Sequence, residues 1–242
     1  MTAAEQMMDR PKFTVVFDFD GTVCLGNDPV RAYAEGVGSH LDQGEVSAMN
    51  DELERFLKHP SNFSQYSDGY DVVQSHATGR LTPEQTQEAY MRSRRLLAKG
   101  VFDVHPPERL GWMLRRMGEL GCCRVLASNS PIIGLRETLD SFGVLDDFDE
   151  VIPGVGKPKG WDALISRFVD KRHSDVPGLL SIGDYWKNDM APVVAVGQLT
   201  AFIHEPDPSM PATITSPTLS PMADDIVDLC AKAETLLTES EV

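Results

Sequence analysis

The sequence predicts an α/β protein: a parallel sheet flanked by helices and interrupted, after its first strand, by an all-helical insertion. Three observations carry this prediction. Thr14-Val15-Val16-Phe17 is apolar without alternation, the pattern of a strand buried on both faces of a parallel sheet. Short apolar runs return at Arg124-Val125-Leu126-Ala127 and Leu179-Leu180-Ser181-Ile182, separated by helical patterns. Between Asn27 and about Asp103 only helical spacing occurs. The expected division is therefore an α/β core over residues 1–26 and 104–242 and a helical domain over 27–103.

The first strand ends in Asp18-Phe19-Asp20-Gly21-Thr22, two carboxylates one residue apart followed by a glycine. Asp-Gly is also a hairpin turn signal, so residues 15–24 admit a β-hairpin as the alternative. Asp28-Pro29 reads as a cap and first helical residue for a helix over 30–41. A second helical pattern over 44–57 spaces Val46, Met49, Leu53, Phe56 and Leu57 on one face, and His59-Pro60 breaks it. A shorter helix follows over 70–77. Thr82-Pro83-Glu84-Gln85 combines a cap, a proline and a Gln three residues after the cap, and starts a helix that Gly100 stops.

The α/β rhythm then resumes. Pro106-Pro107 opens a helix over 108–120, and the second strand runs into Ser128-Asn129-Ser130-Pro131, with Ser130 as cap of a helix over 132–142. Val151-Ile152 reads as a short strand before the glycine-rich loop that carries Lys157 and Lys159. Trp161, Leu164, Ile165 and Phe168 line one face of a helix over 161–169. The strand at Leu179 leads into Gly183-Asp184-Tyr185-Trp186-Lys187-Asn188-Asp189, then a helix over 190–196 and a strand over 199–203. Residues 204–221, rich in Pro, Ser and Thr, read as irregular. A helix over 223–237 closes the chain, with Ile226, Leu229, Cys230 and Leu236 expected on its buried face.

With 242 residues, 41% hydrophobic and 24% charged, the composition is that of an ordinary globular protein. The formal charge of −15 argues against a general nucleic-acid or anionic-membrane binder, which carries a basic stripe. It also means that any phosphate-binding site needs local cations. Cys24, Cys122, Cys123 and Cys230 form no Cys-x-x-Cys pair and read as reduced thiols. The start of the chain has no apolar signal region and no window reaches bilayer length, so a cytoplasmic protein is expected.

Three strands thus end in polar chemistry: Asp18 and Asp20, then Ser128, then Asp184 and Asp189, with a lysine-bearing loop between the second and third. In a parallel sheet these groups converge beyond the carboxyl ends of the strands. Crowded carboxylates raise one another's pKa unless a cation is present, and a divalent metal is the simplest resolution. A single hairpin does not account for the recurrence.

This order of residues resembles the four signature motifs of the haloacid dehalogenase-like (HAD) superfamily, and the helical insertion resembles that family's C1-type cap. The resemblance implies a Rossmann-like core and a Mg²⁺-dependent phosphatase acting on a small phosphorylated metabolite. In that pattern Asp18 is the nucleophile and Asp20 the acid and base. Ser128 and Lys157 hold the phosphoryl group, with Asn129 beside them in the substrate-binding set. Asp18, Asp20 (through its carbonyl), Asp184 and Asp189 hold the metal. Lys157 precedes a proline, as in the family, but Lys159 remains the alternative. Dehalogenase members lack an acid at the Asp20 position, since halide leaves without a proton. A sugar phosphomutase of the same family and a non-catalytic phospho-switch protein are the alternative functions. In the helical domain the run Arg92-Ser93-Arg94-Arg95 reads first as a solvated basic face and alternatively as a patch that meets an anionic leaving group, with Arg80 and His76 as further candidates for that contact.

Overall fold

In the computed structural model, which describes residues 13–63, 65–169 and 176–239, the strands form one sheet. They are β1 (Thr14–Phe17), β2 (Cys123–Ala127), β3 (Glu150–Ile152), β4 (Leu179–Gly183), β5 (Leu199–Ile203) and β6 (Ile214–Ser216). Their order is β3-β2-β1-β4-β5-β6, and every pairing is parallel. This is the Rossmann-like arrangement in which the chain reverses direction across the sheet between β1 and β4. With β1 paired in parallel to both β2 and β4, the hairpin alternative is excluded.

Contacts divide the chain into two units. The first holds the sheet and comprises residues 1–24, 106–132 and 142–242. Its helices are α5 (Leu110–Glu119), α7 (Trp161–Phe168), α8 (Ala191–Val194) and α9 (Ala223–Glu239). Alternation along a strand sends Val16 to one face of the sheet and Val15 and Phe17 to the other. Val16, Val125, Ala127 and Leu179 pack with Trp161 and Leu164 of α7 and Val193 of α8. Helix α5 packs on α9, and the buried Glu234 of α9 accepts the Phe13 N–H at 2.9 Å, pinning the chain just before β1.

Several expectations shift. Residues 204–221 contain β6, a three-residue edge strand whose mixed Ile-Thr-Ser composition leaves no apolar run to read. Thr200 and Thr213 each donate a backbone N–H to the other's hydroxyl at 3.1 Å beside it. The helix expected over 190–196 is instead a π-helical turn, Trp186–Met190, followed by the short α8. On α9 the buried face carries Ile226, Val227, Cys230, Ala233, Glu234 and Leu237, whereas Leu236 is 48% exposed.

The second unit comprises residues 25–105 and 133–141. Its helices are α1 (Asp28–Gly38), α2 (Gln43–Lys58), α3 (Gly69–Ala77), α4 (Pro83–Ala98) and α6 (Leu135–Ser141). Residues 133–141, expected with the core, pack on α4 instead, and α6 begins at Leu135 rather than residue 132. The start signal expected at Thr82 is present as a reciprocal cap with Gln85 on α4, and Asp42 with Glu45, not anticipated from the sequence, caps α2 in the same way. Asp28 does not cap α1; its carboxylate accepts the Asp103 N–H at 2.9 Å. Val30, Tyr33, Met49, Leu53, Phe56, Val72 and Val73 form the core of this unit.

The register of α9 yields a direct prediction. Leu237→Ala, at a site 2% exposed, is expected to cost about 2–5 kcal/mol in urea unfolding. Leu236→Ala is expected to stay within about 0.5 kcal/mol of the parent. Equal costs would contradict the helix phase.

Candidate active site

The register places the chemistry. Phe17 pairs with Leu126 on one side and with Ile182 on the other, so Asp18 stands level with Ala127 and Gly183. The three chains leave the sheet at one edge, still tied to it: Asp18 N–H donates to the Ile182 carbonyl at 2.9 Å, and Ser128 N–H to that of Ile152 at 3.0 Å. The loop after β3 is stitched to the turn after β2, with the Val155 and Gly154 N–H groups donating to the Ser128 and Ser130 carbonyls at 3.0 Å each. That loop delivers Lys157.

The Lys157 ammonium is the centre of the arrangement. Its Nζ donates to Asp18 Oδ1 at 2.6 Å and to Asp189 Oδ1 at 2.5 Å, with the lysine side chain only 2% exposed. Burial alone would lower the pKa of this ammonium; the charges of Asp18 and Asp189 outweigh it and hold the value above its ordinary one. The pKa of Asp189 is raised as well. Burial and the nearby Asp18 charge push its carboxyl up to about 7, against the opposing pull of Lys157. Lys159, the alternative, is exposed, so Lys157 is the lysine that the fold brings to the carboxylates.

Asp184 completes the acidic group: oxygens of Asp18, Asp184 and Asp189 lie within 4.8 Å of one another. Gly21 makes room for it. Its φ of +78° suits glycine, and a Cβ there would fall 2.0 Å from Asp184 Oδ2. Gly183 does the same for Asp189, whose Cβ would lie 2.6 Å from a side chain at that position. The π-helical turn carrying Asp189 is fixed by the buried Trp161, whose Nε1 donates to the Asn188 carbonyl at 2.6 Å. Tyr185 N–H donates to Asp189 Oδ2 at 3.2 Å. Three carboxylates against one ammonium leave the cluster net negative, and hard oxygen donors at this spacing suit a divalent cation such as Mg²⁺.

The remaining expected residues are placed as follows. Ser128 is buried, and its Oγ accepts the Ser130 N–H at 3.0 Å. Asn129 uses its amide on the Lys157 backbone, accepting the N–H at 2.6 Å and donating to the carbonyl at 3.0 Å, so it sets the lysine's position. Asp20 does not join the acidic trio; its Oδ2 accepts from Ser130 Oγ at 2.7 Å. Ser130 therefore does not cap α6, where the Gly134 N–H goes to Glu137 instead. Sequence reasoning missed this contact, although residues two apart at a strand end share a face, which puts Ser130 beside Ser128.

In the helical unit, Arg80 pairs with Glu45 at 2.7 Å, His76 lies 2.8 Å from Glu52, Arg92 is 3.7 Å from Glu35, and Arg95 pairs with Glu88. Arg94 is buried, its guanidinium 5.7 and 5.2 Å from the ring centres of Tyr70 and Tyr90. No described helix is long and apolar enough to cross a membrane.

No protein-family model matches the sequence, and no curated protein matches it. Solved structures do match. A predicted phosphoglycolate phosphatase from Haemophilus somnus 129PT superposes with a TM-score of 0.60 at 15% identity, covering 90% of this chain and 97% of its own. The magnesium-bound YfnB of Bacillus subtilis, assigned as a HAD-hydrolase, gives 0.58 at 14% identity, with 90% and 100% covered. An L-2-haloacid dehalogenase from Xanthobacter autotrophicus gives 0.50 at 12%, with 90% and 98% covered. With its six-stranded parallel sheet and its helical insertion after β1, this chain has the fold of the haloacid dehalogenase-like hydrolases.

Proposed function

We propose that the protein is a Mg²⁺-dependent phosphatase that hydrolyses a small phosphomonoester through an aspartyl-phosphate at Asp18. The observation that carries this reading is the buried Lys157 ammonium held between Asp18 and Asp189 at the carboxyl edge of the sheet. Phosphoryl transfer is mainly a matter of positioning and charge neutralisation, and a fixed buried cation beside a carboxylate supplies both.

In the first step an Asp18 oxygen attacks phosphorus and the bond to the leaving oxygen breaks, while Asp20 gives that oxygen its proton. In the second step Asp20 takes a proton from water, the water oxygen attacks phosphorus, and the bond to Asp18 breaks, returning both carboxyls to their starting forms. Lys157 offsets charge on the transferring group, and the Ser128 hydroxyl donates to a phosphoryl oxygen. Asp18, Asp184, Asp189 and the Asp20 carbonyl would hold a Mg²⁺ ion, which would supply further charge neutralisation. The HAD-hydrolase with bound magnesium supports that choice of ion. The dehalogenase among the similar folds suggests the competing chemistry. Asp20 argues against it, because a departing halide needs no proton and a departing alkoxide does.

Purified protein with Mg²⁺ is expected to release phosphate from p-nitrophenyl phosphate, and EDTA to abolish the release. Asp18→Asn should lower kcat by about 10³-fold or more without changing the circular dichroism spectrum; full activity in that variant would end the assignment. Asp20→Asn should cost about 10²–10⁴-fold with alkyl phosphates, whose leaving groups need the proton, and less with aryl phosphates. Gly21→Ala, which intrudes on Asp184, should weaken Mg²⁺ binding about 10–100-fold by calorimetry. Unchanged affinity would remove Asp184 from the ligand set.

A further inference from the structure

Lys157 and Trp161 stand four residues apart on one segment, and both reach the turn that carries Asp189. Lys157 Nζ donates to Asp189 Oδ1 at 2.5 Å, and Trp161 Nε1 donates to the Asn188 carbonyl at 2.6 Å. The segment is folded tightly, with the Gly160 N–H donating to the Gly156 carbonyl at 3.0 Å and the Trp161 N–H to that of Pro158 at 3.2 Å. A Cβ at position 160 would fall 2.1 Å from the Val155 carbonyl oxygen, so a side chain there would break the fold. Trp161 is 1% exposed and packs with Val16 of β1, Val125 of β2, Leu179 of β4 and Val193 of α8. The sheet thus sets the place of the indole, and the indole N–H passes it to the residue before Asp189.

We propose that Trp161 is a positioning residue for the metal site, its indole N–H fixing the Asn188 carbonyl and with it the direction of the Asp189 side chain. The proposal rests on the phosphatase reading above, in which Asp189 helps to hold Mg²⁺. The Asn188 carbonyl and the Asp189 N–H belong to one planar peptide unit. That plane is pinned at both ends: the N–H donates to the Tyr185 carbonyl at 2.8 Å, and the carbonyl accepts from Trp161. The Asp189 Cα is bonded to the plane, so its side chain leaves in a set direction. The carboxylate is then held by Lys157 at Oδ1 and by the Tyr185 N–H at Oδ2, 3.2 Å away. The turn itself, Trp186–Met190, is π-helical, a rare single-turn conformation that gains from outside support. Loss of the indole N–H releases one end of the peptide plane and leaves the Lys157 and Tyr185 contacts in place. An ion that demands near-ideal ligand geometry registers that release as lost affinity.

The test is Mg²⁺ binding by calorimetry, without substrate, in Trp161→Phe, Leu164→Ala and Asp189→Asn. Trp161→Phe keeps a ring in the core and loses the N–H; it should weaken Mg²⁺ binding about 10-fold, as when a partner of a metal ligand is removed. Leu164→Ala takes packing from the same helix and core without touching the turn, and should leave the affinity close to the parent's. In nitrogen–proton correlation spectra of the parent, the Trp161 indole signal, identified among the three tryptophans by its loss in Trp161→Phe, should shift along the Mg²⁺ binding curve. Unchanged affinity in Trp161→Phe, an equal loss in Leu164→Ala, or an indole signal indifferent to Mg²⁺ would overturn the positioning role. If the parent binds no Mg²⁺, or Asp189→Asn binds it as well as the parent, the metal assignment of the phosphatase reading fails and takes this proposal with it. A loss in Asp189→Asn with none in Trp161→Phe leaves that assignment standing and rejects only Trp161.

Discussion

An ammonium buried between carboxylates is the constraint on which this site depends. Lys157 is out of water, and an unpaired buried charge there would be costly; Asp18 and Asp189, at 2.6 and 2.5 Å, make it tolerable. Held in this way the lysine stays protonated at any physiological pH and acts as a fixed charge. In the mechanism proposed above, proton transfer falls to another group, Asp20, which lies outside the acidic trio and accepts from the Ser130 hydroxyl. On that reading the two aspartates of the first motif, one residue apart in the chain, take different tasks.

The same constraint bears on how an acidic chain would receive the anion proposed above. With a formal charge of −15, the protein as a whole repels phosphate. One lysine does not reverse that locally, since three carboxylates gather at the site, and burial together with the nearby Asp18 charge pushes the Asp189 carboxyl up. On the proposed reading a divalent cation would restore the sign of the field. The glycines at positions 21 and 183 show how closely the acids are packed to make this possible, each standing where a side chain would collide with Asp184 or Asp189. The loops are cross-tied rather than free: Asn129 clamps the Lys157 backbone, and Ser128 and Ser130 accept from the loop that carries it.

Much of this was legible in the sequence because parallel strands announce themselves twice, by continuous apolar runs and by the polar groups at their ends. The positions of Asp18, Ser128 and Asp184 follow from strand order, the choice of Lys157 over Lys159 rests on its proline neighbour and the family resemblance, and the reciprocal cap at Thr82 follows from local chemistry alone. What was missed depends on tertiary context. β6 is three residues long and owes its place to pairing with β5. Leu236 and Leu237 are indistinguishable by composition, and only the phase of α9 decides which one is buried. Ser130 carries a local cap signal, and its hydroxyl goes instead to Asp20, distant in the chain and invisible to any short window. The division of the chain differs from expectation at residues 133–141 for a similar reason: α6 packs on α4, a choice set by tertiary contact rather than by spacing.

Chemical trapping of the intermediate tests the central claim most directly. Enzyme mixed with Mg²⁺ and substrate, quenched during turnover and treated with borohydride, should carry homoserine in place of Asp18 by peptide mass spectrometry, because reduction cleaves an acyl phosphate to the alcohol. Asp20, Asp184 and Asp189 should be unmodified, and omitting substrate should abolish the change. Homoserine at another aspartate, or phosphate release in a sample in which no aspartate is trapped, would contradict the account.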